Sequence, residues 1–245
     1  NVAIELQPFV KCFWSLDAEA APAIEKQRIV PDGCMEMIFH YGGLYRQYMP
    51  DGSFIIQPRC FVFGQITTPL EIAPTGISGI IAARFHPEGF APFASISIGE
   101  MENKAVPLEI IFGNGAVDFK NSVLSAQTNG ERIKLIEAFF INKLSLPEAA
   151  DRIARTSVEV LLSCNGQISV DELAEQLQVN RRQLERKFSS AIGLSPKQLS
   201  KVIRLQTTLK ALYQEKSSTL TSVAYENGYY DQAHFIKDFR EFTGV

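Results

Sequence analysis

The feature that most constrains this fold is an internal repeat in the last third of the chain. In the first copy, four apolar residues follow the spacing of one buried helix face, namely Val170, Leu173, Ala174 and Leu177. Fifty residues later the pattern recurs in Leu220, Val223 and Ala224, and beyond the turn the offset becomes 51. At that offset, Leu184, Phe188, Ile192 and Gly193 correspond to Phe235, Phe239, Thr243 and Gly244. The repeat therefore predicts two copies of one helical unit.

Helix-start signals divide each copy into two helices joined by a short turn. Ser169 and Glu172 have the spacing of a capping box. Asn180 and Asp231 are candidate N-caps for the second helix of each copy. The turns between the helices are residues 177–179 and 228–230. A helix, a turn of this length and a second helix predict a helix-turn-helix unit, here in tandem.

A long helix is predicted to connect the two units. Ser195-Pro196 provides an N-cap followed by proline at the first helical position, and the apolar spacing continues to about Glu215. Twenty residues at ~1.5 Å each span about 30 Å. One turn of B-DNA is about 34 Å, so we expect the two second helices to reach successive major grooves.

The exposed faces of these second helices carry the candidate DNA contacts. In the first copy they are Arg181, Arg182, Glu185 and Arg186, and in the second they are Gln232, Ala233, His234, Lys237 and Arg240. Arginine can bind guanine or phosphate, glutamine can read adenine, and alanine can touch a thymine methyl group. Glu185 can accept from cytosine or pair with Arg181 or Arg182. The alternative is that these charges form an ordinary solvated surface.

The remainder of the chain predicts a β-rich segment followed by helices. Turn signals in residues 1–85 separate apolar stretches at 34–41, 54–66 and 79–85, which favours a small sandwich or partial barrel. Residues 86–165 have helical spacing, as in Ile133, Ile136, Phe140 and Leu144, and Asn165-Gly166 marks a boundary. We therefore expect an α+β protein with a β-rich subdomain at 1–85, a helical subdomain or linker at 86–165, and a tandem helix-turn-helix domain at 166–245.

Composition and charge narrow the function classes. The net charge is −3, but residues 167–245 carry 11 basic and 9 acidic side chains, a balance of +2. The four cysteines form no C-x-x-C pair, and neither they nor the three histidines suggest a metal site. Motifs for a nucleophile elbow, a zinc protease or a phosphate-binding loop are absent. We expect no cofactor, no enzyme activity, no signal peptide and no membrane association, in a cytoplasmic protein.

These residues resemble the AraC/XylS-type transcription regulators over 168–245. The carrying motifs are residues 170–174, 180–188, 193–197 and 228–244. The resemblance implies a bacterial regulator, an activator, that binds double-stranded promoter DNA and contacts RNA polymerase. It places base contacts on Arg182, Glu185 and Arg186, and on Gln232, Ala233, His234 and Lys237. Ala233 and Lys237 stand where serine and arginine are frequent in the family.

The N-terminal part resembles the sensor of one AraC-type subgroup, a small cupin-like β-structure followed by helices. The carrying residues are 13–15, 29–36, 64–65 and 84–89. Trp14, Glu36, Phe39 and Arg84 are candidate residues of a pocket for a small polar or aromatic effector. The alternative is a structural Glu36–Arg84 pair among ordinary core aromatics.

Three hypotheses remain open from the sequence. The first is a ligand-responsive regulator, with a homodimer expected only by analogy. The second is a constitutive DNA-binding or assembly protein whose N-terminal domain only dimerises. The third is a DNA-repair enzyme, such as an alkyltransferase with a sacrificial cysteine, fused to a helix-turn-helix module.

Overall fold

The chain folds into a two-sheet β-structure, followed by helices that pack in two groups. The computed structural model describes residues 1–19, 25–144, 151–214 and 220–244, with the side chains of 220 and 221 left out. The strands are β1 (Val10–Ala18), β2 (Gln27–Ile29), β3 (Glu36–His40), β4 (Tyr45–Tyr48), β5 (Phe54–Ile56), β6 (Cys60–Phe63), β7 (Leu70–Pro74), β8 (Ser78–Phe85) and β9 (Ala105–Pro107). The α+β class predicted from the sequence is confirmed.

Both sheets are antiparallel and face each other as a sandwich. One has five strands in the order β1-β8-β3-β6-β9, and the other has four in the order β2-β7-β4-β5. The central strand β3 pairs with β8 on one side, where Glu36 lies opposite Arg84, and with β6 on the other. Successive side chains of a strand point to opposite faces, so β3 serves two different interiors.

Two details differ from the sequence expectations. The stretch 54–66 is not one strand, because β5 belongs to the four-stranded sheet and β6 to the five-stranded sheet. Pro58 stands between them and lacks the N–H that a continuous ladder needs. The β-structure also continues past residue 85, since β9 pairs with β6 at Val62–Val106. The limits of the three predicted subdomains stay predictions.

The first group of helices covers the outer face of the five-stranded sheet. It comprises α1 (Leu108–Phe112), α2 (Gly115–Ser125) and α3 (Asn129–Lys143). A capping box of Thr128 and Glu131 begins α3, which contains three of the residues with predicted helical spacing. Phe39 of β3 meets Phe119 edge to face at 5.5 Å, and Phe85 of β8 meets Phe140 at 5.3 Å. This aromatic layer is the main hydrophobic core of the N-terminal half.

The second group contains the predicted repeat. Its helices are α4 (Arg152–Ser163), α5 (Val170–Gln176), α6 (Arg181–Ile192), α7 (Pro196–Gln214), α8 (Leu220–Glu226) and α9 (Gln232–Thr243). Val158 and Leu161 of α4 pack with Leu184 and Phe188 of α6 in one core. The core that holds the first unit therefore begins before Asn165-Gly166, with a helix that the sequence pattern assigned to the preceding segment.

The two helix-turn-helix units share their backbone details. Asn180 accepts from the N–H of Gln183 at 2.8 Å, and Asp231 accepts from the N–H of His234 at 2.7 Å, so both predicted N-caps are confirmed. Each turn has one residue with positive φ, namely Gln178 (54°) and Gly228 (78°). These two positions are 50 residues apart, so the offset found in the sequence recurs in the backbone. The predicted tandem architecture is confirmed.

The connecting helix α7 begins as predicted. The Ser195 hydroxyl accepts from the N–H of Gln198, whose side chain accepts in return from the N–H of Ser195, which completes a capping box. The helix has 19 residues, or about 28 Å at ~1.5 Å per residue, and its predicted end near Glu215 lies outside the described residues. Leu199 and Ile203 pack with the first unit, and Leu205 packs with Phe242 of the second.

Contacts also connect the β-structure to these helices. Gln206 of α7 donates to the Pro31 carbonyl oxygen at 2.6 Å, and Arg28 of β2 donates to the Thr243 carbonyl oxygen at 3.1 Å. A β-carbon on Gly33 would lie 2.6 Å from Leu199 Cδ1. The segment from β2 to β3 therefore lies directly against α7 and the end of α9.

Candidate nucleic-acid interface and ligand cavity

The exposed face of α6 is basic and has two unpaired arginines. Arg182 and Arg186 are exposed, and neither forms an ion pair with any described residue. Arg181 pairs with Asp171 at 3.1 Å and with Glu185 at 3.0 Å, so that of the two arginines considered as partners of Glu185, Arg181 is the one that pairs with it in the protein without DNA. Arg182 and Arg186 are therefore the groups on this helix that are free to bind a base edge or a phosphate.

The corresponding face of α9 is less basic and more tightly tied to the protein. Gln232, Ala233, Lys237 and Arg240 are exposed. His234 is only half-exposed, and its ring packs edge to face on Tyr229 at 5.2 Å. The structure thus leaves four of the five predicted residues of α9 facing outward and turns His234 partly toward its neighbours.

A buried carboxylate anchors α9 to α7. Asp238 is 1 % exposed and pairs with Lys201 of α7 at 2.9 Å, while His234 Nε2 lies 3.8 Å away. Lys201 also pairs with Glu241 at 2.9 Å. Sequence reasoning missed this pair, although its signal was an acidic residue between the buried positions Phe235 and Phe242 of an otherwise apolar helix face.

A cavity of about 260 Å³ lies between the two sheets. Three of the four predicted pocket residues, Trp14, Glu36 and Arg84, line it. Glu36 Oε1 accepts from Trp14 Nε1 at 2.9 Å and pairs with Arg84 Nη1 at 3.0 Å. The second Nη of Arg84 pairs with Asp32, a residue that sequence reasoning did not select. Burial raises the pKa of the Glu36 carboxyl, which the Trp14 hydrogen bond partly opposes.

Phe39 is a correction, because it does not line this cavity. Strand alternation directs Glu36, Ile38 and His40 of β3 into the space between the sheets. Phe39 points to the opposite face and packs in the core against Phe119. The prediction selected an aromatic by its type and ignored the two-residue period of the strand.

His40 is another cavity residue that sequence reasoning did not select. It is 1 % exposed, its ring stacks on Tyr45 at 5.3 Å, and burial lowers its pKa to about 4. Gln57 lies near enough to oppose that shift in part, yet neither ring nitrogen has a hydrogen bond of normal geometry with a described residue. A neutral imidazole with an unused donor and an unused acceptor therefore faces the cavity.

Two of the four cysteines, Cys34 and Cys60, are buried. Burial raises the pKa of the Cys34 thiol to about 11 and that of Cys60 to about 12, which disfavours the reactive thiolates. Among the described ranges, no three histidine, cysteine, aspartate or glutamate side chains are grouped to hold a metal ion. None of the helices in those ranges has the length and hydropathy to cross a bilayer.

Two family models match the chain. Residues 3–107 match a domain of unknown function, DUF6597. Residues 173–245 match a helix-turn-helix domain. The first match covers both sheets, and the second covers both units from within α5 onward.

Curated relatives match about a third of the chain. The HTH-type transcriptional regulator GbdR of Pseudomonas aeruginosa is 36% identical over 78 residues, which is 32% of this chain and 21% of that protein. An uncharacterized HTH-type transcriptional regulator of Haemophilus influenzae is 31% identical over 91 residues, 37% of this chain and 30% of that protein. The matched part of the chain thus spans less than a third of these relatives' length.

Solved structures match along nearly the whole chain. ToxT from Vibrio cholerae superposes with a TM-score of 0.51 at 12% identity, and the match covers 96% of each chain. ToxT bound to (E)-4-(8-methylnaphthalen-1-yl)but-3-enoic acid has a TM-score of 0.50 at the same identity and coverage. At such identity the likeness describes the fold. The matches therefore place a helix-turn-helix domain at residues 173–245 and a domain of unknown function at residues 3–107, in a chain whose fold is similar to that of ToxT.

Proposed function

We propose that this chain is a sequence-specific, DNA-binding transcription regulator whose N-terminal cavity takes a small-molecule effector. The observation that carries the proposal is the pair of helix-turn-helix units with the same caps and turns. Both units pack on α7, and each presents its second helix outward. Two recognition helices in one polypeptide can bind a DNA duplex that has two half-sites about one helical turn apart.

The charge distribution supports different contributions of the two units to DNA binding. Arg182 and Arg186 of α6 are exposed and unpaired among the described residues, whereas α9 offers Gln232, Ala233, Lys237 and Arg240. We infer that α6 supplies most of the base and phosphate binding and that α9 adds weaker, shape-dependent contacts. We also propose that the DNA-binding unit begins with α4, whose Val158 and Leu161 complete the core of the first unit.

Contacts between the cavity wall and α7 support control by an effector. Asp32 and Cys34 line the cavity, while Pro31 and Gly33 of the same segment lie against Gln206 and Leu199 of α7. A ligand that moves Asp32 would therefore also shift α7, the helix on which both helix-turn-helix units pack. ToxT with its bound carboxylic acid is an example of a small ligand held by a protein of this fold.

Further parts of the proposal follow from the resemblance of residues 168–245 to AraC/XylS-type regulators. The regulator acts as an activator, contacts RNA polymerase, and works in the bacterial cytoplasm, where promoter DNA is found. A homodimer formed through the N-terminal half belongs to the same proposal. The proposal includes no catalytic step. Burial raises the pKa of the Cys34 and Cys60 thiols, which disfavours these two cysteines as the sacrificial nucleophile of an alkyltransferase.

The test is selection of a binding site from random duplex DNA with the full chain, followed by titrations at several salt concentrations. We expect one enriched motif with two half-sites about 10 base pairs apart. The logarithm of the affinity should fall linearly with the logarithm of salt concentration, by about 0.9 per phosphate contacted.

Paired variants separate this proposal from general attraction to DNA. Arg182→Ala with Arg186→Ala should abolish the preference for the selected motif. The matched control is Arg155→Ala, an exposed arginine of α4 that pairs with Glu159. Equal losses in both variants, or a selection that enriches no motif, would contradict the proposal.

A further inference from the structure

The chemistry around the cavity identifies the class of ligand that fits it. The charged side chains of its lining are two carboxylates, Asp32 and Glu36, and one guanidinium, Arg84. Both Nη atoms of Arg84 are already paired, one with each carboxylate. A ligand carboxylate would add a third negative group and would have to compete for an occupied cation. A positively charged ligand would instead neutralise an excess of negative charge.

One carboxylate oxygen remains open to such a ligand. Glu36 Oε1 accepts from both Trp14 and Arg84, while no described residue donates to Oε2. Asp32 Oδ1 accepts from the backbone N–H of Cys34, and its other oxygen pairs with Arg84. The indole of Trp14 lines the same end of the cavity, and an aromatic face attracts cations.

At the other end of the cavity, His40 would bind a neutral polar group of the ligand. His40 is nearly fully buried and lines the cavity, and although Gln57 lies close, neither ring nitrogen has a hydrogen bond of normal geometry with a described residue. A buried imidazole in this state is costly unless a water or a ligand completes its hydrogen bonds. A hydroxyl or carbonyl group of a ligand would supply them.

The strand spacing fixes the distance between the two ends. Glu36, Ile38 and His40 lie on the same face of β3, and a strand advances ~3.3 Å per residue. Glu36 and His40 are therefore about 13 Å apart along the strand, with Ile38 between them. Most of the remaining wall is apolar, including Leu16, Ile72 and Ile80. A volume of 260 Å³ corresponds to roughly nine water molecules, enough for a slender organic chain.

We propose that this cavity binds an elongated amphipathic amine. Its ammonium group pairs with Glu36 beside Asp32 and Trp14, its apolar body packs on the strand side chains, and a distal hydroxyl or carbonyl group bonds to His40. The inference rests on the proposed function, in which the cavity takes the effector, and it adds the chemical class of that effector.

The test compares unbranched eight-carbon compounds that differ only in their end groups. Calorimetric titration of the full chain uses an amino alcohol, the matching diol and the matching hydroxy acid. We expect the amino alcohol to bind about tenfold more tightly than the diol, a difference of about 1.4 kcal/mol, and the hydroxy acid to bind most weakly. Tighter binding of the hydroxy acid, equal binding of all three, or binding of none would overturn the inference.

Variants assign each end of the ligand to its residue. Glu36→Gln should weaken the amino alcohol about tenfold and leave the diol unchanged, whereas Asp118→Asn, an exposed carboxylate of α2, should change neither. His40→Phe should weaken the amino alcohol and leave octylamine, which lacks the hydroxyl, unchanged. If Glu36→Gln unfolds the protein, Asp32→Asn and the cavity-filling Ile72→Trp replace it, and Ile72→Trp should abolish binding of every compound. An unchanged preference for the amine in the folded Glu36 or Asp32 variants would overturn the inference.

Binding of DNA distinguishes failure of this inference from failure of the proposed function. The selected duplex is titrated in parallel without any amine. DNA binding without amine binding overturns the ligand class and leaves the regulator standing. Amine binding without DNA binding overturns the proposed regulator function and leaves the ligand class standing.

Discussion

The two halves of this molecule place their candidate functional groups differently: the sandwich buries them around a cavity, and the helical half exposes them to solvent. In the sandwich, Glu36, Arg84 and His40 are turned inward and surround a cavity. In the helical half, Arg182 and Arg186 are turned outward on a helix whose other face fills a core. The difference shows how a sheet and a helix present polar groups. Two sheets can enclose a binding site between them, whereas a short helix carries its binding residues on the face that is exposed to solvent.

The helical half should therefore depend most strongly on its buried apolar side chains. Leu184 and Phe235 occupy equivalent positions in the two units and are 0% and 1% exposed. We expect Leu184→Ala and Phe235→Ala each to lower the free energy of unfolding by about 2–5 kcal/mol, because each leaves a cavity in a small core. Chemical denaturation measures the change, with the exposed Tyr230→Ala as control. A cost below about 1 kcal/mol at either position would break the structural equivalence of the units.

The sandwich half should respond to pH through a buried carboxyl. Burial raises the pKa of Glu88 to about 7, Arg155 opposes the shift, and Glu159 adds to it. Between the ordinary pKa of about 4.5 and this value, the folded state holds a proton that the unfolded chain has released. Stability should thus fall by about 3 kcal/mol as pH rises through this window and then level off.

The Glu88→Gln variant isolates that contribution. It should lose this part of the pH dependence and be the more stable protein above pH 7, as measured by urea midpoints across the pH range. Asp118→Asn serves as the exposed control. Parallel stability curves for Glu88→Gln and the unchanged protein would show that the carboxyl ionises normally in the fold.

The two recognition helices should differ in how they affect DNA affinity. We expect Arg186→Ala to weaken binding to the selected site by about 1–3 kcal/mol and to relax its sequence preference. Lys237→Ala on α9 should weaken all sequences by less than about 1 kcal/mol and reduce the salt slope by about 0.9. Anisotropy titrations on specific and scrambled duplexes measure both quantities. Equal effects of the two variants would contradict the proposal that α6 supplies most of the base and phosphate binding.

The smallest effect is expected from Arg181, which the fold holds in a different state from its neighbour Arg182. Arg181 is paired with Asp171 and Glu185 on the surface, where solvent and salt screen such pairs and leave them with little effect on stability. Arg181→Ala should therefore change the free energy of unfolding little and lower DNA affinity less than Arg186→Ala does. A loss of affinity equal to that of Arg186→Ala would mean that Arg181 leaves its partners to contact DNA.

Much of the helical half was predictable because its signals are local. The caps at Asn180 and Asp231 and the capping box of Ser169 and Glu172 each depend on neighbours within one turn. The repeat was visible because two such local patterns recur at an offset of 50 and then 51 residues. A helix face with a period of 3.6 residues also separates buried from exposed positions. The outward orientation of Arg182 and Arg186 followed from that period alone.

The cavity was predictable only in part. Trp14, Glu36 and Arg84 stood out as polar or bulky side chains in apolar strands, but Asp32 and Gln57 lie in loops with no such signal. Phe39 was assigned to the cavity, although it lies on the other face of β3. His40 was set aside because it has no metal-ligand spacing, and its buried, unpaired ring is visible only once the strands are paired.

By itself, the sequence determined the α+β class, the tandem repeat, the helix starts and the basic face of α6, since all of these depend on short-range spacing. Tertiary structure decided which face of β3 borders the cavity, which acids hold Arg84, and that the segment beside Asp32 lies against α7. It also placed α4 in the core of the first unit. The physical reason is that strand pairing and packing join residues far apart in the chain, and no local periodicity encodes those partners.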